Sequence, residues 1–250
     1  MGRPADGLRR LAAAALWIPL AGCSTEPDLT VAVAASFRDA AACADRAPGE
    51  PIAWRAHSGG SALLAQQILR GAPVDVFVSA SPDEIERVRK AGLLASPPRT
   101  LADNRLILVA PREAGLVTRL TDLARPAVRR VAVPDPSLAP AGRYAERALI
   151  EHDLTIALAD KRIPAADVRH ARALLTAGEV DAAFLYATDV PRDDVRWNAI
   201  VVSLAEPRPR VTAAAIDGPR RATARLWIER FEASEVRACL ESLGFRPEER

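Results

Sequence analysis

The chain has 250 residues, a formal net charge of +2 and an apolar share of 49%, too high for a disordered polymer. The whole charge excess comes from Arg3, Arg9 and Arg10 against Asp6, within the first 22 residues. The balanced remainder has no net positive charge with which to displace counterions from nucleic acid, so no nucleic-acid partner is expected. Aromatic residues are only 4% of the chain, so its core must be built from Ala, Val, Leu and Ile. The length suits one large domain or two small ones.

The N-terminus reads as an export signal. Residues 1–10 are basic, and 11–21 form an apolar run of eleven, well short of the roughly 20 residues a bilayer-spanning helix needs. A basic segment followed by a short apolar one is the layout of a secretory signal. The run ends Leu20-Ala21-Gly22-Cys23, which resembles a bacterial lipobox. By that resemblance residues 1–22 are a lipoprotein signal peptide, Cys23 is the lipidated first residue and 23–28 form a short polar tether. The expected location is the periplasmic side of a bacterial membrane, with a lipid anchor. Two cysteines remain, Cys43 and Cys239; in an oxidising compartment they either pair or stay as buried thiols. There is no CxxC, and His57, His152 and His170 are scattered, so no structural metal site is expected.

Along the body, residues 30–35 read as a buried strand. Ser36-Phe37-Arg38-Asp39 then fits a capping box opening a helix to about Asp45. A strand at 52–56, the turn His57-Ser58-Gly59-Gly60 and a helix from Ser61 to Gly71 follow. Next comes a strand at 74–79, and Ser81-Pro82-Asp83-Glu84 supplies a cap, a first-position proline and an acidic first turn for a helix ending at Gly92. The second stretch repeats this grammar. Strands are expected at 105–110, 130–133 and 182–187, with helices from Pro140-Ala141-Gly142 to about Glu151, at 153–159 and at 166–177. Strands at 200–204 and 211–216 flank a Pro-Arg-Pro-Arg turn, and helices near 219–231 and 234–243 finish the chain. This alternation predicts an α/β fold of two lobes, each a mainly parallel sheet flanked by helices, with a hinge between them. Lobe I is expected to comprise 29–103 and 217–250, and lobe II 104–216, with crossovers near 103–105 and 216–218.

In open α/β sheets, ligands bind beyond the carboxyl ends of strands. Helix N-termini there offer unpaired N–H groups that suit oxyanions. Ser36, Ser61, the Pro140-Ala141-Gly142 turn and the segment before Val168 all fall at such junctions, and Tyr186 ends a strand with a hydroxyl donor. A serine at a helix start is ordinarily just a cap, and a tyrosine ending a strand is ordinarily packing.

Several stretches together resemble the molybdate-binding proteins of bacterial ABC importers, a type II periplasmic-binding-protein-like family. They are Val31–Ser36 as VAVAAS, Ser58–Ile68 as SGGSALLAQQI, and Gly71–Ala80 as GAPVDVFVSA, followed by Asp135–Ala145 as DPSLAPAGRYA. Asn104–Pro111 as NRLILVAP, Asp167-Val168-Arg169, Tyr186–Asp189 and Gly244-Phe245 fit as well. The resemblance runs in order from about residue 29 to 246. It implies ligand contacts at Ser36 and Ser61 in lobe I and at Ala141, Val168 and Tyr186 in lobe II. Ala141 and Val168 would act through their backbone N–H groups. The implied ligand is molybdate or tungstate, with molybdenum held only as the oxyanion and no cofactor. The implied partners are an ABC permease and its ATPase, for a protein acting as a monomer. Two departures stand out: Gly60, where the family often has serine, and Arg38, where small or polar residues are commoner.

His57, Ser58 and Ser61 lie close in sequence, but there is no GxSxG elbow, so no enzyme is expected. No GxxxxGK[ST] or GxGxxG motif supports nucleotide binding. A binding protein for another oxyanion such as sulfate or phosphate, or a sensory lipoprotein of the same fold, are the alternatives. Asp189 is a candidate acceptor for a protonated ligand, and Arg55, Arg143 and Arg169 are candidates to reach the cleft.

Overall fold

A computed structural model describes residues 29–191, 193–204 and 208–247. The expected signal segment 1–22, Cys23 and the tether lie outside them. Lobe I opens with β1 (Leu29–Ala34), α1 (Arg38–Ala41), β2 (Trp54–Gly59), α2 (Ser61–Leu69), β3 (Val76–Ser79), α3 (Pro82–Lys90) and β4 (Arg99–Asp103). The chain then crosses to lobe II for β5 (Leu106–Pro111), β6 (Val131–Pro134), α4 (Pro140–Glu151), β7 (Arg162–Ala165), α5 (Val168–Thr176), β8 (Ala182–Tyr186) and β9 (Trp197–Val201). It returns to lobe I for β10 (Arg210–Ala215), α6 (Arg221–Glu229), α7 (Ser234–Ser242) and β11 (Arg246–Pro247).

The first sheet runs β11-β4-β10-β3-β1-β2 and the second β7-β6-β8-β5-β9. Each contains a three-stranded parallel unit in the same spatial order, β2-β1-β3 and β7-β6-β8, extended by antiparallel strands. The two units are pinned alike. Asp75, just ahead of β3, accepts the Thr30 N–H at 2.8 Å and returns its own N–H to the Thr30 carbonyl. Asp181, just ahead of β8, accepts the N–H groups of Arg129 and Arg130 and donates to the Arg130 carbonyl. In both lobes a Val-Asp pair thus fixes the register of the third strand on the first, because backbone groups there need partners. Arg220 neutralises Asp75 with a two-pronged contact at 3.0 and 2.9 Å.

Alternation along β1 and β3 divides lobe I into two cores. Val31, Val33, Val76 and Val78 face one containing Phe37, Trp227, Phe231 and Phe245; Ala32 and Phe77 face the other with Leu64, Ile68, Ile85 and Val88. Lobe II has one core cluster, rich in alanine, valine and leucine. Cys43 and Cys239 are joined in a disulfide, their Cα atoms 5.8 Å apart, which ties the turn after α1 to α7.

The structure corrects the sequence reading in several places. The strand Arg210–Ala215 was expected in lobe II but lies between β3 and β4 of the first sheet. The return crossover therefore precedes Arg210 instead of falling at 216–218. Residues 153–158 form turns, not a helix, with only a short 3₁₀ turn starting at Ala159, since Asp153 leaves α4 with a φ of 56°. The short edge strand β7, interrupted by Pro164, and β4 had no clear signal in the sequence.

Candidate functional site

The carboxyl ends of both parallel units meet across a narrow cleft between the lobes. Each strand of the two units leads into it: Ser36 follows β1, Ser61 follows β2 and Ala80 follows β3; Ala141 follows β6, Val168 follows β7, and Tyr186 ends β8. All five residues expected at the site therefore line one space.

Local structure explains how each is held. The turn carrying Ser36 is anchored by Phe37, which is fully buried against the Phe231 and Phe245 rings, with centroids 5.9 and 5.1 Å away. The expected capping box does not form, because Ser36 sits inside a tight 3₁₀ turn with no side-chain cap. Ser61 is the first residue of α2, and its Oγ accepts the Ala80 N–H at 3.0 Å. With that lone pair occupied, the hydroxyl proton is left to donate. Pro140 opens α4 and has no N–H of its own, so Ala141 presents the first free amide of that helix. Gly142 is required there: a Cβ would stand 2.1 Å from the Pro134 carbonyl oxygen. Asp167 caps α5 by accepting the N–H groups of Arg169 and His170, leaving that of Val168 uncommitted. The N–H groups of Ser61, Ala141 and Val168 have no intrahelical acceptor, and none donates to another described residue.

Tyr186 is 2% exposed, and its hydroxyl has no hydrogen-bond partner among the described residues. Burial pushes its ionisation well above the usual range for a phenol, with Tyr144 and Asp189 adding to the shift, so it stays neutral and able to donate. No lysine or arginine is among the described residues lining the cavity. Its one carboxylate, Asp167, is turned to its capping role. The lining is a set of neutral donors from both lobes, suited to an anion that brings its own charge and needs no buried counter-ion.

A family model for bacterial extracellular solute-binding proteins matches residues 29–246. The molybdate-binding protein ModA of Escherichia coli is 30% identical over 74% of this chain and 75% of its own length. The chain is a ModA-like bacterial extracellular solute-binding protein. YvgL of Bacillus subtilis, named as an ABC transporter substrate-binding lipoprotein, is 28% identical over 95% of this chain and 97% of its own. The solved periplasmic molybdate-binding protein of Azotobacter vinelandii superimposes with a TM-score of 0.73 over 89% of this chain and all of that one, at 22% identity. Solute-binding proteins of this family are extracytoplasmic components of ABC transporters. They carry no cofactor and are not enzymes.

In this solute-binding protein the lobes touch around the cavity. The Leu138 carbonyl of lobe II accepts the Ala62 and Leu63 N–H groups of α2 at 3.0 and 3.2 Å. Arg143 pairs with the buried Glu84 at 2.7 Å, and Arg169 reaches Asp39 at 2.7 Å. Neither arginine lines the cavity, and Arg55 bonds to Thr30 Oγ1 on an exposed edge. Arg38 is exposed and also stands outside the lining. Asp189 accepts the Tyr186 N–H at 2.9 Å from behind the strand end, so it supports the site instead of lining it. His57 bonds to Gln67 and Ser58 is exposed, so the residues of the enzyme alternative do not assemble. The sequence reading missed Ala80 and Leu138, which act through backbone groups and carry no side-chain signal.

Proposed function

We propose that this protein binds molybdate, with tungstate as the nearest substitute, and delivers it to the permease and ATPase of an ABC importer. The observation that carries the reading is the donor set: three hydroxyls and backbone N–H groups from both lobes around one cavity, with the Tyr186 hydroxyl left unpartnered. A tetrahedral dianion accepts from every side and satisfies such donors together. Each charge-assisted hydrogen bond contributes on the order of 1.5–3 kcal/mol, so a handful supports submicromolar binding. Because donors come from both lobes, the anion favours the form in which they are in contact. That form is the one the permease reads. Selection against sulfate, which carries equal charge, rests on cavity size. The protein acts as a monomer, tethered to the membrane through a lipid on Cys23.

A thermal-shift panel of molybdate, tungstate, sulfate, phosphate and thiosulfate tests the assignment, since a ligand held only by the folded form raises the midpoint. Shifts with molybdate and tungstate alone are expected. A response confined to sulfate or phosphate would assign the site to another oxyanion, and no response at all would favour a sensory role. Cys23→Ser is expected to release the protein from membranes into the soluble fraction.

A further inference from the structure

We infer that Arg169 is a positioning residue, a fork that holds the Ser36 peptide of lobe I in register with the Val168 helix start of lobe II. The inference rests on the oxyanion reading above and extends it to a residue outside the cavity lining. Arg169 Nε donates to the Ala35 carbonyl at 2.7 Å, and Nη2 donates to Asp39 Oδ2 at 2.7 Å. The Ala35 carbonyl and the Ser36 N–H belong to one planar peptide group, with the two dipole ends pointing opposite ways. A guanidinium fixed on the carbonyl therefore fixes the direction of the Ser36 N–H. It also polarises that peptide, making the N–H a stronger donor.

The other end of the fork is equally constrained. Arg169 directly follows Val168, and Asp167 holds both at the start of α5 by accepting the Arg169 and His170 N–H groups at 2.9 and 3.0 Å. One side chain thus links a candidate donor turn in lobe I to a candidate donor amide in lobe II across 130 residues of sequence. Both contacts cross between the lobes, so they exist only while the lobes are together. Free energy from Arg169 accrues to that form alone and appears as ligand affinity. The geometry demands arginine. Two acceptors of different kinds are met by two donors of a rigid plane, which the single point charge of lysine does not reproduce.

The test uses the full-length exported protein with Arg169→Ala, Arg169→Lys and Asp39→Asn, read by calorimetric affinity for molybdate and sulfate and by small-angle scattering. Arg169→Ala is expected to weaken whichever oxyanion the wild type binds by about tenfold or more, mostly through faster release, with the preference among oxyanions unchanged. Asp39→Asn is expected to lose less, because the Ala35 contact remains. Arg169→Lys is expected to stay as weak as the alanine variant. An alanine variant within twofold of wild type overturns the inference, and so does full recovery by lysine, which would reduce the role to charge alone. If the wild type binds none of the oxyanions, the functional reading falls and scattering alone decides the fork. Expansion of the ligand-free molecule on Arg169→Ala would then sustain it, and an unchanged radius would overturn it.

Discussion

Gly60 and Leu138 face each other across the cleft with no room for a side chain: a Cβ on Gly60 would stand 2.3 Å from the Leu138 carbonyl oxygen. That oxygen also takes the N–H groups of Ala62 and Leu63, so the first turn of α2 is capped by the opposite lobe. A serine here would collide with that carbonyl as long as the lobes stay together. Gly60→Ser is therefore expected to hold the lobes apart and weaken oxyanion binding at least about tenfold, roughly 1.4 kcal/mol. The ligand-free melting midpoint should stay near wild type, since each lobe keeps its own core. Calorimetry and thermal unfolding on the same variant check both halves.

Tyr186→Phe separates binding from stability. Its hydroxyl is buried with no partner among the described residues, an arrangement that costs folding free energy on the order of 1–3 kcal/mol. The phenylalanine variant is expected to be as stable as wild type or more so in denaturant unfolding, yet to bind its anion more weakly. Loss of stability with unchanged affinity would instead make Tyr186 a packing residue.

Asp189 gives a pH signature. Burial pushes its carboxyl up to about 7, against the opposing pull of the Tyr186 N–H it accepts. In the unfolded chain the same group titrates near 4. The folded state thus holds a proton that the unfolded state releases between those values. Stability from this group is fully present below about pH 4 and is lost as pH rises toward 7, at up to about 1.4 kcal/mol per pH unit. Asp122 and Asp194, held down to about 2 by hydrogen bonds from Thr118 and Arg196 respectively, act with the opposite sign at lower pH. Comparing wild type with Asp189→Asn cancels their effect. The stability difference between the two is expected to drift across pH 4–7 and level off above pH 8 in denaturant titrations.

The Cys43–Cys239 bridge predicts a redox dependence of stability. It closes a loop with a sequence separation of 196 residues, and removing such a link typically costs roughly 2–5 kcal/mol. Replacing both cysteines by alanine is expected to lower the denaturant midpoint while leaving oxyanion affinity near wild type, because neither residue lines the cavity.

Much of the site was legible because its signals are local. Ser81 accepts the Asp83 N–H with Pro82 behind it, as the Ser-Pro-Asp-Glu string implied. Strand ends followed by small or hydroxyl residues marked Ser36, Ser61, the Pro140-Ala141-Gly142 turn, the segment before Val168 and Tyr186; the family resemblance singled out Ala141 and Val168 within them, and all five line one space. The rest depended on partners far along the chain. Asp39 read as a capping residue for its own helix, yet it pairs with Arg169. Arg143 read as a candidate to reach the cleft, yet it stands outside the lining and meets Glu84 in the other lobe. The strand Arg210–Ala215 was misplaced because local turn chemistry does not reveal that the chain is changing lobes. The cysteine pairing stayed open for the same reason: nothing near Cys43 reports on α7.

The layout of the chain also bears on how the molecule is made. All of lobe II's sheet lies within one continuous stretch, from β5 to β9, so it has its complete set of strands once residue 201 has emerged. Lobe I starts earlier and finishes last, because β10, α6, α7 and β11 all come from the end of the chain. As the chain is made, the first strands of lobe I stand unpaired on one side while the later-made lobe completes itself. Only arrival of Cys239 allows the covalent ring around lobe II to shut.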